Sequence, residues 1–185
     1  FEKRIWQIQR NLPDNTLIEK TVNKIKKASN PMIVAGGGAI YSGSESVMKE
    51  FSEKHGIPVT ETFAGKGTLH YSNPFNLGGI GATGTKGANE IAKNSDLVIG
   101  VGTRYGDFTT ASKSVWQNKN VEFININVAE FDAFKNSAIP LQGDARETLK
   151  IISHKLENHS TYKGYIEKIK VLSREWDDIV SKIYH

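Results

Sequence analysis

The sequence predicts an α/β domain: a doubly wound, Rossmann-like parallel sheet with helices on both faces, in three layers. Two observations predict it. Short apolar runs, such as residues 32–35 and 96–101, alternate with segments of helical periodicity, and runs of that kind suit strands buried on both faces. Several of them stop at clusters of glycine, threonine and asparagine, the composition expected of loops at the carboxyl ends of strands in such a sheet.

The elements follow in order. Asn15 or Thr16 caps a first helix whose apolar positions Leu17, Ile18, Val22, Ile25 and Ala28 recur at helical spacing, and Asn30-Pro31 ends it. A strand over 32–35 stops at Gly36-Gly37-Gly38. A helix over 44–55 turns Val47, Met48 and Phe51 inward, and 57–61 is a second strand. Residues 63–84 are rich in glycine, asparagine and proline without periodicity, and read as one long functional loop opening a helix over 85–93. Strands follow over 96–101 and 121–128, a short helix over 129–135, and a last strand over 139–141. Asp144 caps a helix reaching about residue 157. Residues 162–184 form one long amphipathic pattern, with Tyr165, Ile169, Leu172, Trp176 and Ile179 at three- and four-residue steps. It either packs on this domain or leads into another.

Composition narrows the function classes. The 185 residues suit one domain. The absence of cysteine excludes thiolate zinc sites, iron–sulfur clusters, disulfides and cysteine nucleophiles, and fits a cytoplasmic protein. The net charge of +4 comes from lysines scattered along helices rather than a basic stripe, which argues against nucleic acid. No apolar run suits a membrane span. The chain starts at Phe1 without methionine, and residues 1–15 read as an incoming linker, so a piece of a longer polypeptide is expected: linker 1–15, central domain 16–158, and a C-terminal helix 159–185 leading to a missing domain.

Ligands in such a sheet bind outside the strands' carboxyl ends, where 36–38, 62–68, 81–85, 102–110 and Asn127 belong. A tentative nucleotide site therefore comprises Gly37, Gly38, Thr85, Arg104 and Asn127. Each motif has a plainer reading. Gly79-Ile80-Gly81-Ala82-Thr83-Gly84 matches G-x-G-x-x-G, but no strand is expected immediately before it and no acidic residue stands where a ribose would need one. Tyr41 takes the third glycine's place after Gly36-Gly37-Gly38, leaving close approach to a ligand or to a neighbouring domain equally open. Gly65-Lys66-Gly67-Thr68 lacks a P-loop's first glycine, because Thr60 stands there. Arg104 either grips a phosphate or carboxylate or pairs with Asp107, and the pair is favoured. The five histidines (His55, His70, His154, His159 and His185) lack metal-ligand spacing, no G-x-S-x-G elbow exists, and no catalytic residue is assigned.

Taken together, Pro31-Met32-Ile33-Val34-Ala35-Gly36-Gly37-Gly38, Gly56-Ile57-Pro58-Val59, Gly65-Lys66-Gly67, Asn73-Pro74 with 78–84, 96–104 and Gly143-Asp144-Ala145 resemble the central domain of thiamine-diphosphate-dependent enzymes such as acetolactate synthase and pyruvate oxidase. Within that superfamily, Glu61-Thr62-Phe63-Ala64, residues 76–85, Asp107-Phe108-Thr109-Thr110 with Ser112-Lys113, Ile126-Asn127-Val128 with Phe131-Asp132-Ala133, and the opening Phe1-Glu2-Lys3-Arg4 are similar to the trihydroxycyclohexanedione hydrolases of myo-inositol catabolism. The resemblance implies a DHS-like NAD/FAD-binding fold. It also implies a homo-oligomeric hydrolase of a carbon–carbon bond whose thiamine diphosphate and magnesium are bound by flanking N- and C-terminal domains, with no cofactor expected in this chain and the chain inactive alone. Central domains of the superfamily share their fold with sirtuins, and some hold FAD, ADP or a coenzyme A nucleotide. The rival to a scaffold is thus a nucleotide-binding module of another such enzyme. An acidic residue ending the fifth strand would favour the module; Asn125-Ile126-Asn127-Val128 stands there, with no carboxylate before Glu130 and Asp132, which favours the scaffold.

Overall fold

The computed structural model describes residues 2–5 and 7–184; Phe1, Trp6 and His185 lie outside the described residues, and with them the Phe1 of the family likeness and the last histidine. Six strands, β1 (Pro31–Ala35), β2 (Val59–Glu61), β3 (Asn76–Gly79), β4 (Leu97–Val101), β5 (Glu122–Asn127) and β6 (Ile139–Gln142), form one parallel sheet in the order β3-β2-β1-β4-β5-β6. Every residue of β1 and of β4 is buried, as strands covered on both faces require.

The helices are α1 (Asn15–Lys27), α2 (Gly37–Tyr41), α3 (Glu45–His55), α4 (Lys86–Asn94), α5 (Asp107–Thr110), α6 (Glu130–Ala133), α7 (Ala145–Leu156) and α8 (Lys163–Tyr184). Side chains alternate across a strand, so β1 feeds two cores. Ile33 and Ala35 join Ile18, Val22 and Ile25 of α1, Met48 and Phe51 of α3, and Leu149, Ile152 and Leu156 of α7. Met32 and Val34 face the other way, toward Ala88, Ile91 and Ala92 of α4 and Tyr165, Ile169 and Leu172 of α8. The result is three layers, α/β/α.

Four expectations need correction. The 63–84 stretch is not one loop: it holds a single turn of 3₁₀ helix (Phe63–Gly65) and the edge strand β3. Gly36-Gly37-Gly38 is not only a strand stop, since Gly37 starts α2. The α1 cap is Asp14, whose Oδ1 accepts from the Thr16 and Leu17 amides at 2.8 and 3.3 Å. In the run Asp14-Asn15-Thr16 each residue suits that role, and the carboxylate gains most from the helix dipole. The 129–135 helix ends early, at Ala133, and is followed by a 3₁₀ turn (Lys135–Ser137).

The amphipathic tail divides in two. Tyr165, Ile169 and Leu172 are buried on the sheet's second face, and the Tyr165 hydroxyl donates to the Pro31 carbonyl at 2.9 Å. The same seam continues past the body as Trp176, Ile179 and Ile183, all exposed. Among the described residues no helix is long and apolar enough to cross a membrane.

Candidate functional site

Strand order 3-2-1-4-5-6 reverses between β1 and β4, and a crevice opens outside their carboxyl ends, where open α/β sheets bind ligands. Here it is about 750 Å³. Its floor is Gly36, Gly37 and Gly38 against Gly102 and Thr103; its walls include Tyr41, Thr62, Phe63, Arg104, Asn127, Asp132 and Lys135.

Backbone crossing, rather than a ligand, accounts for most of the floor's glycine. A Cβ on Gly36 would lie 2.3 Å from the Gly102 carbonyl oxygen, and one on Gly102 would lie 2.4 Å from the Gly38 Cα. The two loops touch main chain to main chain, joined by Gly38 N–H donating to Gly102 O at 3.0 Å and Gly36 N–H to Val101 O at 2.8 Å.

Of the five expected nucleotide-site residues, Gly37, Gly38, Arg104 and Asn127 do line this crevice. Thr85 does not. Its hydroxyl donates to the Leu77 carbonyl at 2.5 Å and accepts from the Ala88 amide at 3.0 Å, which makes it the cap of α4 beyond the edge strand. Asn127 is at the crevice but already engaged: its amide nitrogen donates to Thr103 O at 3.0 Å and its oxygen accepts from Ala129 N at 3.0 Å. Arg104 is exposed. The favoured Arg104–Asp107 pair does not form; Asp107 Oδ2 accepts from the Ser112 hydroxyl at 3.2 Å instead, and the guanidinium makes no ion pair among the described residues.

The G-x-G-x-x-G stretch has, contrary to expectation, a strand before it (β3), and the expected helix after it (α4). It still serves packing. A Cβ on Gly81 would lie 1.9 Å from Phe108 O. The Gly81 amide donates to Asn89 Oδ1 at 2.9 Å and the Ala82 amide to Phe108 O at 2.8 Å, so these donors are taken up inside the protein. In the P-loop-like turn the Gly67 and Leu69 amides donate to Oε1 of Glu61, a buried carboxylate, at 3.0 and 3.2 Å. The anion of that loop is a side chain of the protein.

Two features escaped the sequence reading. Asp132 lies five residues beyond β5, yet α6 folds it back into the crevice, where Lys135 holds it at 2.7 Å and also donates to Arg104 O at 2.8 Å. A carboxylate is thus present where a ribose would be sought, already neutralised by its own lysine. Tyr105, at φ 51°, folds inward over Gly100; its hydroxyl donates to Asn125 Oδ1 at 2.9 Å, and its ring meets Trp116 and Phe123 edge-on. Burial pushes its phenol well above the ordinary range. Only Gly100, a single small residue in an apolar strand, hinted at this.

Chemically the crevice offers main-chain amides and one unpaired guanidinium. It holds no nucleophile–base pair, and the described residues contain no cluster of three or more His, Asp or Glu side chains able to hold a metal. A magnesium ion held with a diphosphate takes one or two carboxylates of its own; the carboxylate lining this crevice, Asp132, is paired with Lys135, so these residues do not fit that group.

The family described as "Thiamine pyrophosphate enzyme, central domain" matches residues 18–152. All 185 residues align at 43% identity with a 3D-(3,5/4)-trihydroxycyclohexane-1,2-dione hydrolase of Clostridium tetani (strain Massachusetts / E88). Hydrolases of the same description from Bacillus thuringiensis (strain Al Hakam) and Bacillus anthracis align over the full chain at 42%. The chain spans 29% of the length of each of these relatives. A parallel α/β/α sheet and a family match over residues 18–152 lead to one conclusion: this chain belongs to the central-domain family of thiamine pyrophosphate enzymes.

Proposed function

We propose that the chain is the non-catalytic central domain of a thiamine-diphosphate-dependent hydrolase that opens the ring of 3D-trihydroxycyclohexane-1,2-dione in myo-inositol catabolism. The observation that carries this reading is the 43% identity to a hydrolase of that description across every residue. In this reading residues 1–15 lead in from an N-terminal domain, 16–158 are the central unit, and 159–185 lead into a C-terminal domain. The flanking domains of a cytoplasmic homo-oligomer hold thiamine diphosphate and magnesium. The exposed aromatics around the crevice, Tyr41, Phe63, Phe108, Phe131 and Phe134, are the surface that borders those domains; aromatic patches of this kind mark contact faces.

The test is an assay of the complete polypeptide, with thiamine diphosphate and magnesium, against the cyclic dione and against pyruvate. Hydrolysis of the dione by the complete polypeptide, with none by the 185-residue chain alone, is expected. Turnover of pyruvate in its place, or dione hydrolysis by this chain alone, overturns the reading.

A second reading rests on one observation: Arg104 stands unpaired beside Gly37 and Gly38 at the switch point. A DHS-like NAD/FAD-binding crevice would seat a diphosphate there, as a module of an acetolactate synthase-like enzyme. The pairing of Asp132 with Lys135 weighs against it. A thermal-shift screen with ADP, FAD, NAD and coenzyme A separates the two, since a ligand at 100 times its dissociation constant adds about 2.7 kcal/mol. A saturable shift that Arg104→Ala abolishes establishes the module; no shift removes it.

A further inference from the structure

The geometry points to a latched strap: the Arg10–Asp144 ion pair holds residues 8–10 over a side chamber of the crevice, and release of that pair opens the chamber. The described residues before α1 have no regular structure, yet residues 10–14 are tied down. Arg10 Nη1 donates to Ser42 O and to Asp144 Oδ2, both at 2.7 Å. The Asp144 amide donates to Asn11 O at 2.8 Å, and Pro13 is buried against Gly143, where a Cβ would lie 2.7 Å from the proline Cδ. Asp144 divides its carboxylate: Oδ1 accepts from the Glu147 amide and caps α7, while Oδ2 serves Arg10.

The attachments are unequal. Asn11, Pro13 and Asp14 anchor the downstream end through main chain, packing and helix cap. Upstream, Arg10 is the one side chain with hydrogen bonds into the domain among the described residues, and Ile8 before it is 78% exposed. Behind the strap lies a chamber of about 220 Å³, walled by Ile8, Gln9 and Arg10 on one side and by Ile126 and Ala145 on the other. It shares Gly38, Tyr41, Gly102 and Asn127 with the crevice. Breaking the ion pair therefore frees residues 8–10 about a pivot at Asn11 and joins chamber to crevice, while α1 and α7 stay docked. Whatever moves the chain upstream of Arg10 is thereby coupled to the width of the crevice.

The absence of cysteine allows a direct test. Ala145 lines the chamber at 4% exposure, so Ala145→Cys places a single thiol behind the strap. Ala92→Cys places one in α4, 0% exposed, in the opposite core. Labelling with an aromatic disulfide reagent reads the opening of each. Adding Arg10→Ala to Ala145→Cys is expected to raise the rate about tenfold, the equivalent of about 1.4 kcal/mol, and to leave Ala92→Cys unchanged. Asp144→Asn, which retains a capping side chain and leaves the Arg10–Ser42 bond, is expected to raise the rate by a smaller factor, and decides the matter if Arg10→Ala does not fold. An Ala145→Cys rate indifferent to both changes, or a parallel rise at Ala92→Cys, overturns the latch.

Discussion

Replacing Gly102 by alanine tests whether the crevice floor is set by main-chain contact. The residue sits at φ +60°, and its Cβ would meet three backbone atoms of α2, Gly38 Cα at 2.4 Å, Gly38 C at 2.5 Å and Ala39 N at 2.6 Å. None of them can rotate aside. The left-handed backbone costs alanine about 1 kcal/mol, and forcing a methyl into packed main chain adds about 1–3 kcal/mol. The total, roughly 2–4 kcal/mol, corresponds to a Tm loss of about 4–16 °C for a chain of this length. Two other glycines separate the contributions. Gly43 has φ +66° but open space around its Cβ, so Gly43→Ala carries the backbone term alone, about 1 kcal/mol. Gly106 has φ −62° and open space, and Gly106→Ala stays below about 1 kcal/mol. Urea unfolding monitored by circular dichroism, with m held constant across the series, gives the three values. If Gly102→Ala costs no more than Gly43→Ala, the two loops are not in rigid contact, and their glycines need another explanation.

Three further outcomes are expected. Thr21 and Thr148 are fully buried in α1 and α7 with no hydrogen-bond partner for either hydroxyl among the described residues; Thr21→Val and Thr148→Val should each raise stability by about 1 kcal/mol, and a lower urea midpoint would refute this. His55 is buried between Ser153 Oγ at 2.9 Å and His159 O at 2.7 Å, and burial outweighs the raising effect of that carbonyl to hold its pKa below the usual 6.5. Its contribution to stability is complete above the unfolded pKa, near 6.5, and is lost as pH falls through the lowered folded value. His159, also lowered by burial, acts in the same window. The slope of stability against pH below 6.5 should flatten in His55→Gln; an unchanged slope would clear His55 of the effect. Asp14→Ala removes the α1 cap and should cost about 1 kcal/mol, read as a lower Tm, whereas Asp14→Asn should cost less.

The sheet was legible wherever burial on both faces leaves an unbroken apolar run, as in β4, and the helices wherever one face is apolar, as in α7. β3 escaped because Asn76-Leu77-Gly78-Gly79 carries almost no apolar signal; it is an edge strand, held by pairing to β2 and by the Asn76 side chain bonding to Leu69 O. The glycine clusters at 36–38 and 102–106 do line the crevice, because they are turns at strand ends, whereas 81–85 lies outside it. The chemistry of the crevice was not legible. Whether Arg104 pairs with Asp107 and whether Lys135 reaches Asp132 depend on local backbone and side-chain geometry within one turn, and whether residues 10–13 dock on Gly143 and Asp144 depends on how distant segments converge; periodicity reports neither.

The central position of β1 has a consequence for synthesis. β1 is the first strand of this sheet in chain order, yet it is enclosed by β2 and β4. Its second partner follows about 60 residues later, which at roughly 5–20 residues per second is a wait of several seconds. During that interval β1 has an open flank, and the Pro31–Ala35 run, buried on both faces in the finished sheet, lacks the cover of α8 and, until its end, of α4. The nascent chain is therefore exposed to mispairing at β1 until β4 emerges, and a pause in translation before β4 would lower the yield of folded protein more than a pause after β5.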